Sequence, residues 1–85
     1  MMLALDRYLR QLRVNLDDDP LRVYEVAAQA EDWAEEVMGA NYAGTFPDAV
    51  QSAILLRAHG LYDSDTEKLN VADRLIDRWR DHTVA

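Results

Sequence analysis

Apolar side chains recur at intervals of three and four residues along nearly the whole chain, as they do on one face of an α-helix. No segment shows the alternation of apolar and polar residues that is typical of a strand. The chain has 85 residues and forms one domain, since either half would be too short to hold a core. We therefore predict a single all-α domain over residues 1–85, a small bundle of about four helices at residues 3–14, 20–38, 46–59 and 65–81.

Two prolines predict where helices begin. Asp19 suits the N-cap position of the second helix, with Pro20 at the first helical position. Thr45 is predicted to cap the third helix, with Pro47 in its first turn.

The link between the third and fourth helices is predicted to lie between residues 59 and 65. Gly60 follows a histidine and predicts the end of the third helix, because glycine is common just past a helix C-terminus. Two capping boxes could start the fourth helix, Ser64 with Glu67 and Asn70 with Asp73, and we favour the first.

The third helix is the most apolar segment of the chain. Between residues 49 and 58, apolar side chains occur around most of the helix rather than on one stripe. A helix of this kind is buried, so we predict that the third helix lies at the centre of the bundle.

Charges are distributed unevenly along the chain. Sixteen acids and nine bases give a net charge of −7, which argues against non-specific binding to nucleic acid or to an anionic membrane. Residues 1–14 carry a charge of +2, residues 15–50 carry −8 and residues 51–85 carry −1. This segregation predicts either an attraction within the chain or two complementary faces of a head-to-tail oligomer, and the sequence leaves both open.

The second helix carries four acids that no lysine or arginine within one turn offsets: Glu31, Asp32, Glu35 and Glu36. They form like-charge pairs at i,i+4 spacing, and each such pair costs a helix roughly 0.2–0.5 kcal/mol. Three interpretations are open: a solvated helix face, a wall of a DNA channel, or a surface that meets a basic patch on a neighbouring subunit. That basic patch would consist of Arg7, Arg10 and Arg13.

The last helix carries a second set of charges. Arg74 and Arg78 alternate there with Asp73, Asp77 and Asp81, a pattern typical of a solvated or interfacial helix face. Arg74 and Arg78 are therefore further candidates for an oligomer contact.

The sequence lacks the side-chain sets that catalysis and metal binding require. It has no cysteine, and His59 and His82 have neither a second histidine at i+4 nor an evident ligand partner. The acidic segments that begin at Asp17 and Asp63 fail the calcium-loop pattern, because other residue types stand at ligand positions. We find no phosphate loop and no nucleophile with a base, and we predict that the chain is not an enzyme and holds no cofactor and no metal ion.

Three segments taken together resemble one known family. Residues 12–21 (LRVNLDDDPL) resemble the opening of the head–tail connector (adaptor) proteins of tailed double-stranded DNA phages, in which a short amphipathic helix runs into an acidic turn. Residues 46–59 (FPDAVQSAILLRAH) are similar to that family's Pro-x-Ala-hydrophobic-x-x-Ala-Ile-Leu-Leu helix, which continues to Ala-His. Residues 71–80 (VADRLIDRWR) are similar to its closing helix, and Tyr62 and Glu67 match the segment between the two.

The resemblance covers the chain from about Leu3 to Arg80, with a departure at Gly60, where the family often has an aromatic residue. It implies an all-α subunit of a cyclic homo-oligomer that sits under the portal protein and receives the tail or head-completion proteins. The ring would extend the DNA channel, and DNA would pass through it without specific binding. The implied location is the head–tail junction of the virion, with the bacterial host cytoplasm as the place of assembly.

A second class of function fits the same composition. A small regulatory or inhibitory binding protein, such as an antitoxin or a DNA mimic, would also be small, helical and acidic. Such a protein would form a tight dimer that binds one host enzyme, whereas a connector subunit would form rings.

Neither a membrane span nor a secretory signal is predicted. The longest uncharged stretch, residues 37–47, is far shorter than the roughly 20 residues that a membrane-spanning helix needs. The N-terminus has no basic region and reaches Asp6 at once, which a secretory signal would not do.

Overall fold

The predicted helices are present in the computed structural model, which describes residues 1–82. They are α1 (Leu5–Leu12), α2 (Pro20–Met38), α3 (Asp48–Asp63) and α4 (Thr66–Ile76), with a short 3-10 turn after α2 and another after α4. Residues 1–82 contain no strand. The prediction of a small all-α bundle is therefore confirmed.

α3 is the central helix, because it packs against each of α1, α2 and α4. Its buried positions are Val50, Ala53, Ile54, Ala58 and Gly60. The facing stripe of α2 is rich in fully buried alanines, namely Ala27, Ala30 and Ala34. Short side chains on both helices allow close packing of the two backbones, and the predicted burial of the third helix is confirmed.

α3 begins and ends later than the sequence predicts. Pro47 has extended backbone angles, with φ −57° and ψ 156°, and occupies the N-cap position, so Thr45 does not cap the helix. At the other end α3 continues through Gly60 to Asp63 and stops at Ser64, whose φ of 54° is left-handed.

Gly60 serves helix packing rather than helix termination. A Cβ atom at this position would lie 2.8 Å from Leu69 Cδ2 and 3.1 Å from the backbone oxygen of Asp65. The start of α4 therefore approaches α3 at a point where no side chain fits. The prediction that Gly60 ends the third helix is wrong, because the approach of α4 requires the glycine inside the helix.

The remaining boundaries lie close to the predicted ones. α1 is shorter than expected, since Ala4 is extended and Arg13 has a left-handed φ of 58°. Asp19 and Pro20 occupy the predicted N-cap and first positions of α2, although the Asp19 side chain makes no capping hydrogen bond. Gly39 ends α2 with a positive φ of 49°.

Asp65, rather than Ser64, caps α4. Its Oδ1 accepts hydrogen bonds from the backbone N–H groups of Glu67 at 3.0 Å and Lys68 at 3.3 Å. Lys68 Nζ also donates to Asp65 Oδ2 at 2.6 Å. The N-cap of α4 therefore lies one residue later than predicted, because Ser64 is the C-cap of α3.

The end of the described chain returns to the end of α2. After the 3-10 turn Asp77–Trp79 the backbone is extended at Arg80, short of the predicted helix end at residue 81. The backbone N–H of Asp81 donates to the Val37 carbonyl at 2.9 Å, and Asp81 Oδ2 accepts from the Ala40 N–H at 2.9 Å. These bonds satisfy backbone groups that the C-terminus of α2 leaves unpaired.

Truncation of a side chain on the buried face of α3 should destabilise the protein more than truncation of one on its half-buried face. Ile54 is fully buried, so Ile54→Ala should lower the free energy of unfolding by about 2–5 kcal/mol. Leu55 is half-buried, so Leu55→Ala should cost about half as much. Urea denaturation followed by tryptophan fluorescence measures both, and equal losses in the two variants would contradict this placement of α3.

Candidate functional site

The acids of α2 do not form one exposed cluster. Glu31 is only 5% exposed, whereas Asp32 and Glu36 are exposed and Glu35 is half-buried. The grouping of all four as one solvated or interfacial set is corrected by the burial of Glu31. Helical spacing contains the signal, because Glu31 lies four residues after Ala27, at the edge of the buried alanine stripe.

Glu31 binds the N-terminal segment through three hydrogen bonds. Its Oε1 accepts from the backbone N–H of Met2 at 2.6 Å. Its Oε2 accepts from the backbone N–H of Leu3 at 3.2 Å and from the hydroxyl of Tyr8 at 2.5 Å. We refer to these four residues as the Glu31 cluster. It joins α2 to α1 and to the extended segment before α1.

The Glu31 cluster also holds Tyr8 in its neutral form. Tyr8 is fully buried, and burial penalises the phenolate. This burial, the hydrogen bond to Glu31 and the negative charge of Glu31 together raise the pKa of Tyr8 far above its ordinary value. Tyr8 therefore keeps its proton and donates it to Glu31.

The arginines of α1 have different surroundings. The Arg7 guanidinium donates to Gln51 Oε1 on α3, and Arg10 forms an ion pair with Asp6 at 2.6 Å. Arg13 is exposed and has no ion pair within residues 1–82. The predicted basic patch is therefore divided, with one member bound to α3 and one paired within α1.

Arg80 partly neutralises two aspartates, Asp73 on α4 and Asp77 in the 3-10 turn after it. Its Nη2 lies 3.1 Å from Asp73 Oδ1, and its Nε lies 2.9 Å from Asp77 Oδ1. Hydrogen bonds to both acids, opposed by partial burial, raise the pKa of Arg80 further. Arg74 and Arg78 remain exposed and have no ion-pair partner in the described part of the chain. Among the described residues, positive charge without an ion pair therefore remains at Arg74 in α4 and at Arg78 in the 3-10 turn after it.

His59 has two side-chain partners, although the sequence analysis found none evident for it. Its Nε2 lies 2.9 Å from Asp63 Oδ2, and its Nδ1 lies 3.0 Å from Gln11 Nε2. The neutral tautomer that donates to Asp63 within α3 accepts from Gln11, and this second bond joins α1 to α3. The prediction missed Asp63 at i+4 because it ended the helix at Gly60.

A groove of about 410 Å³ lies between the N-terminal segment and α2. Met1, Met2, Tyr24 and Ala28 form its apolar part, and Asp32 and Glu35 lie at its acidic end together with Glu31. Partial burial and the negative charge of Glu35 raise the pKa of Tyr42 beside it. The Tyr42 hydroxyl donates to Met2 Sδ at 2.9 Å, which supports one wall of the groove.

Trp33 lies at the interface of two helices, as an anchor on the apolar stripe of α2. The Arg57 guanidinium of α3 stands 4.8 Å above its ring, a cation–π distance. The Arg57 Nε is buried and has no hydrogen-bond partner in the part of the chain that the structure describes. Both tryptophans, Trp33 and Trp79, are half-buried and pack against the core.

The described residues form neither a metal site nor a membrane span. No group of three or more potential metal ligands occurs within residues 1–82. No helix in that range is long and apolar enough to cross a membrane. Comparisons with protein-family models, with curated proteins and with solved structures found no match.

Glu31 and Asp32 are adjacent acids, and we expect their truncation to alanine to cause very different losses of stability. Glu31→Ala leaves three donors without their acceptor, and should lower the free energy of unfolding by about 3 kcal/mol. Asp32→Ala, the control, changes an exposed residue and should shift it by about 0.5 kcal/mol or less. Chemical denaturation measures both variants. Similar values would show that the Glu31 cluster contributes nothing specific.

Tyr8→Phe should give a stability loss that depends on pH. At neutral pH it removes a hydrogen bond to a carboxylate, which costs about 1.5–3 kcal/mol. The folded-state pKa of Tyr8 is raised, so its stabilising contribution is present below the unfolded value of about 10 and is lost as the pH rises above it. The difference between parent and variant should therefore narrow in alkaline solution. Urea titrations from neutral to alkaline pH measure this, and a constant difference would contradict it.

Proposed function

We propose that the chain is a subunit of the connector ring at the head–tail junction of a tailed double-stranded DNA phage. The ring would join the portal protein to the tail or head-completion proteins and extend the DNA channel. One observation carries the proposal: opposite charges remain unpaired on two different helices, α2 and α4, that both pack on α3. The motif resemblance at residues 12–21, 46–59 and 71–80 supports the same assignment.

Unpaired opposite charges on separate helices favour a head-to-tail oligomer. Asp32 and Glu36 are exposed on α2 without an ion pair inside residues 1–82, and so are Arg74 on α4 and Arg78 in the 3-10 turn that follows it. Contacts between unlike surfaces of identical subunits are heterologous, and they close into a ring when the rotation between neighbours permits. Ion pairs across such a contact steer assembly and fix its register.

Net negative charge suits a channel that DNA must traverse. With −7 per subunit, the ring presents a surplus of carboxylates to the phosphate backbone. Like charges prevent the DNA from binding to the wall, so it passes without specific contact. The subunit itself would assemble in the bacterial host cytoplasm and remain in the virion.

A second candidate is a small acidic regulatory or inhibitory binding protein, antitoxin-like or DNA-mimicking. The exposed carboxylates Asp32 and Glu36 on one long helix favour it, because a DNA mimic presents rows of negative charge to a basic protein surface. Light scattering separates the two candidates: a tight two-fold dimer at all concentrations supports the inhibitor, and larger assemblies at high concentration support the connector.

Removal of the reading frame from the phage or prophage genome that carries it tests the proposed function. Induced cells should release heads without tails together with free tails, because the junction between the two is missing. Electron microscopy and infectivity titres measure this. Expression of the parent chain from a plasmid should restore tailed particles, and normal infectious particles without the reading frame would overturn the proposal.

A further inference from the structure

We propose that the groove beside the N-terminal segment receives α4 of a second copy of this chain. The contact rests on the proposed ring and names the two surfaces that would form it. It would be heterologous, with the α2 side of one subunit against the α4 side of the next.

The first surface is a stripe on α2 that the fold leaves uncovered. Leu21 is 75% exposed and Tyr24 is 43% exposed, and Ala28 is exposed one turn further along. These positions follow the helical intervals of three and four residues and lead to Asp32 on the same face. We call these four residues the α2 stripe. Its middle lines the groove of about 410 Å³.

The second surface is a stripe on α4 with the complementary composition. Val71, Arg74 and Leu75 lie in α4, and Arg78 follows in the 3-10 turn Asp77–Trp79. Leu75 is 43% exposed, and both arginines are exposed and lack an ion pair within residues 1–82. We call these four residues the α4 stripe.

The ion pairs of Arg80 leave both arginines of the α4 stripe without an acidic partner within residues 1–82. Asp73 and Asp77 bind Arg80 and not the two arginines of the α4 stripe. An aliphatic residue between two arginines that lack an ion pair in the described chain matches a groove lined by both apolar side chains and carboxylates. The α4 stripe thus offers an aliphatic side chain to the apolar residues of the groove and positive charge to its carboxylates.

The two stripes do not cover each other within one chain. Both are exposed, and α2 and α4 each pack chiefly on α3. One subunit can therefore use its α2 stripe and its α4 stripe at the same time, with two different neighbours. This arrangement gives open chains or a closed ring, and a symmetric dimer does not use it.

Charge reversal tests the contact. Arg74→Glu with Arg78→Glu makes both stripes acidic, and Ala28→Lys with Asp32→Lys makes both stripes basic. Either double variant alone should self-associate about 100-fold more weakly than the parent, because like charges then face each other. An equimolar mixture of the two should recover association, since each stripe again meets its opposite. Sedimentation velocity measures these states. Asp17→Lys with Ser52→Lys, at two exposed positions outside both stripes, makes the same change in net charge as the basic variant and is the control.

Cysteine cross-linking gives a second measurement that does not depend on affinity. The chain has no cysteine, so Ala28→Cys and Leu75→Cys can be joined by a short bismaleimide. A mixture of the two single variants should give a cross-linked dimer that neither variant gives alone at the highest concentration the chain reaches. Ser52→Cys, at an exposed position on α3, mixed with Leu75→Cys is the control.

The outcomes separate the contact from the function. Rings that survive both charge reversals, or equal cross-linking in the control mixture, overturn the contact and leave the connector function standing. Cross-linked dimers together with normal tailed particles in the deletion strain support the contact and overturn the connector function. Cross-linking of Ala28→Cys to itself would indicate a symmetric dimer, and it overturns the contact as well.

Discussion

A carboxylate leaves water at an acceptable cost only where hydrogen-bond donors replace the water, and Glu31 imposes this requirement on the whole N-terminal region. The donors come from Met2, Leu3 and Tyr8, so the extended segment and α1 must lie against α2 in one arrangement. An apolar residue at position 31 would accept α1 in several registers with similar energy. We interpret the buried carboxylate as the feature that selects one of them.

The same cluster positions surfaces that do not belong to the core. Because the backbone of Met2 is held by Glu31, its side chain stands at the wall of the groove, where Tyr42 donates to its sulfur. A buried polar contact thus shapes an exposed apolar groove. The proposed docking of α4 from a neighbouring subunit depends on this wall, since an undocked N-terminal segment would leave the α2 stripe flat.

Ion pairs within the subunit decide which charged side chains remain available for contacts with other molecules. Arg10 pairs with Asp6 and Arg80 with two aspartates, so these groups contribute to the folded subunit itself. Exposed pairs of this kind add little stability, typically below about 1 kcal/mol. Their larger effect is to engage Asp73 and Asp77, so that Arg74 and Arg78 keep no ion-pair partner within residues 1–82.

Local sequence determined the helical class, the central position of the most apolar helix and the start of α2 at Pro20, because helical periodicity and proline geometry act within one or two turns. Contacts between residues distant in sequence decided the rest. The end of α3 at Asp63 depends on Leu69 packing over Gly60, and the partner of His59 became visible only once the helix extended that far. The sequence pattern grouped Glu31 with three surface acids. Nothing near Glu31 in the sequence supplies the hydrogen-bond donors that the folded N-terminal segment brings to it. Tertiary packing alone sets such distances, and for this reason the buried acid and the groove beside it belong to the structure rather than to the sequence pattern.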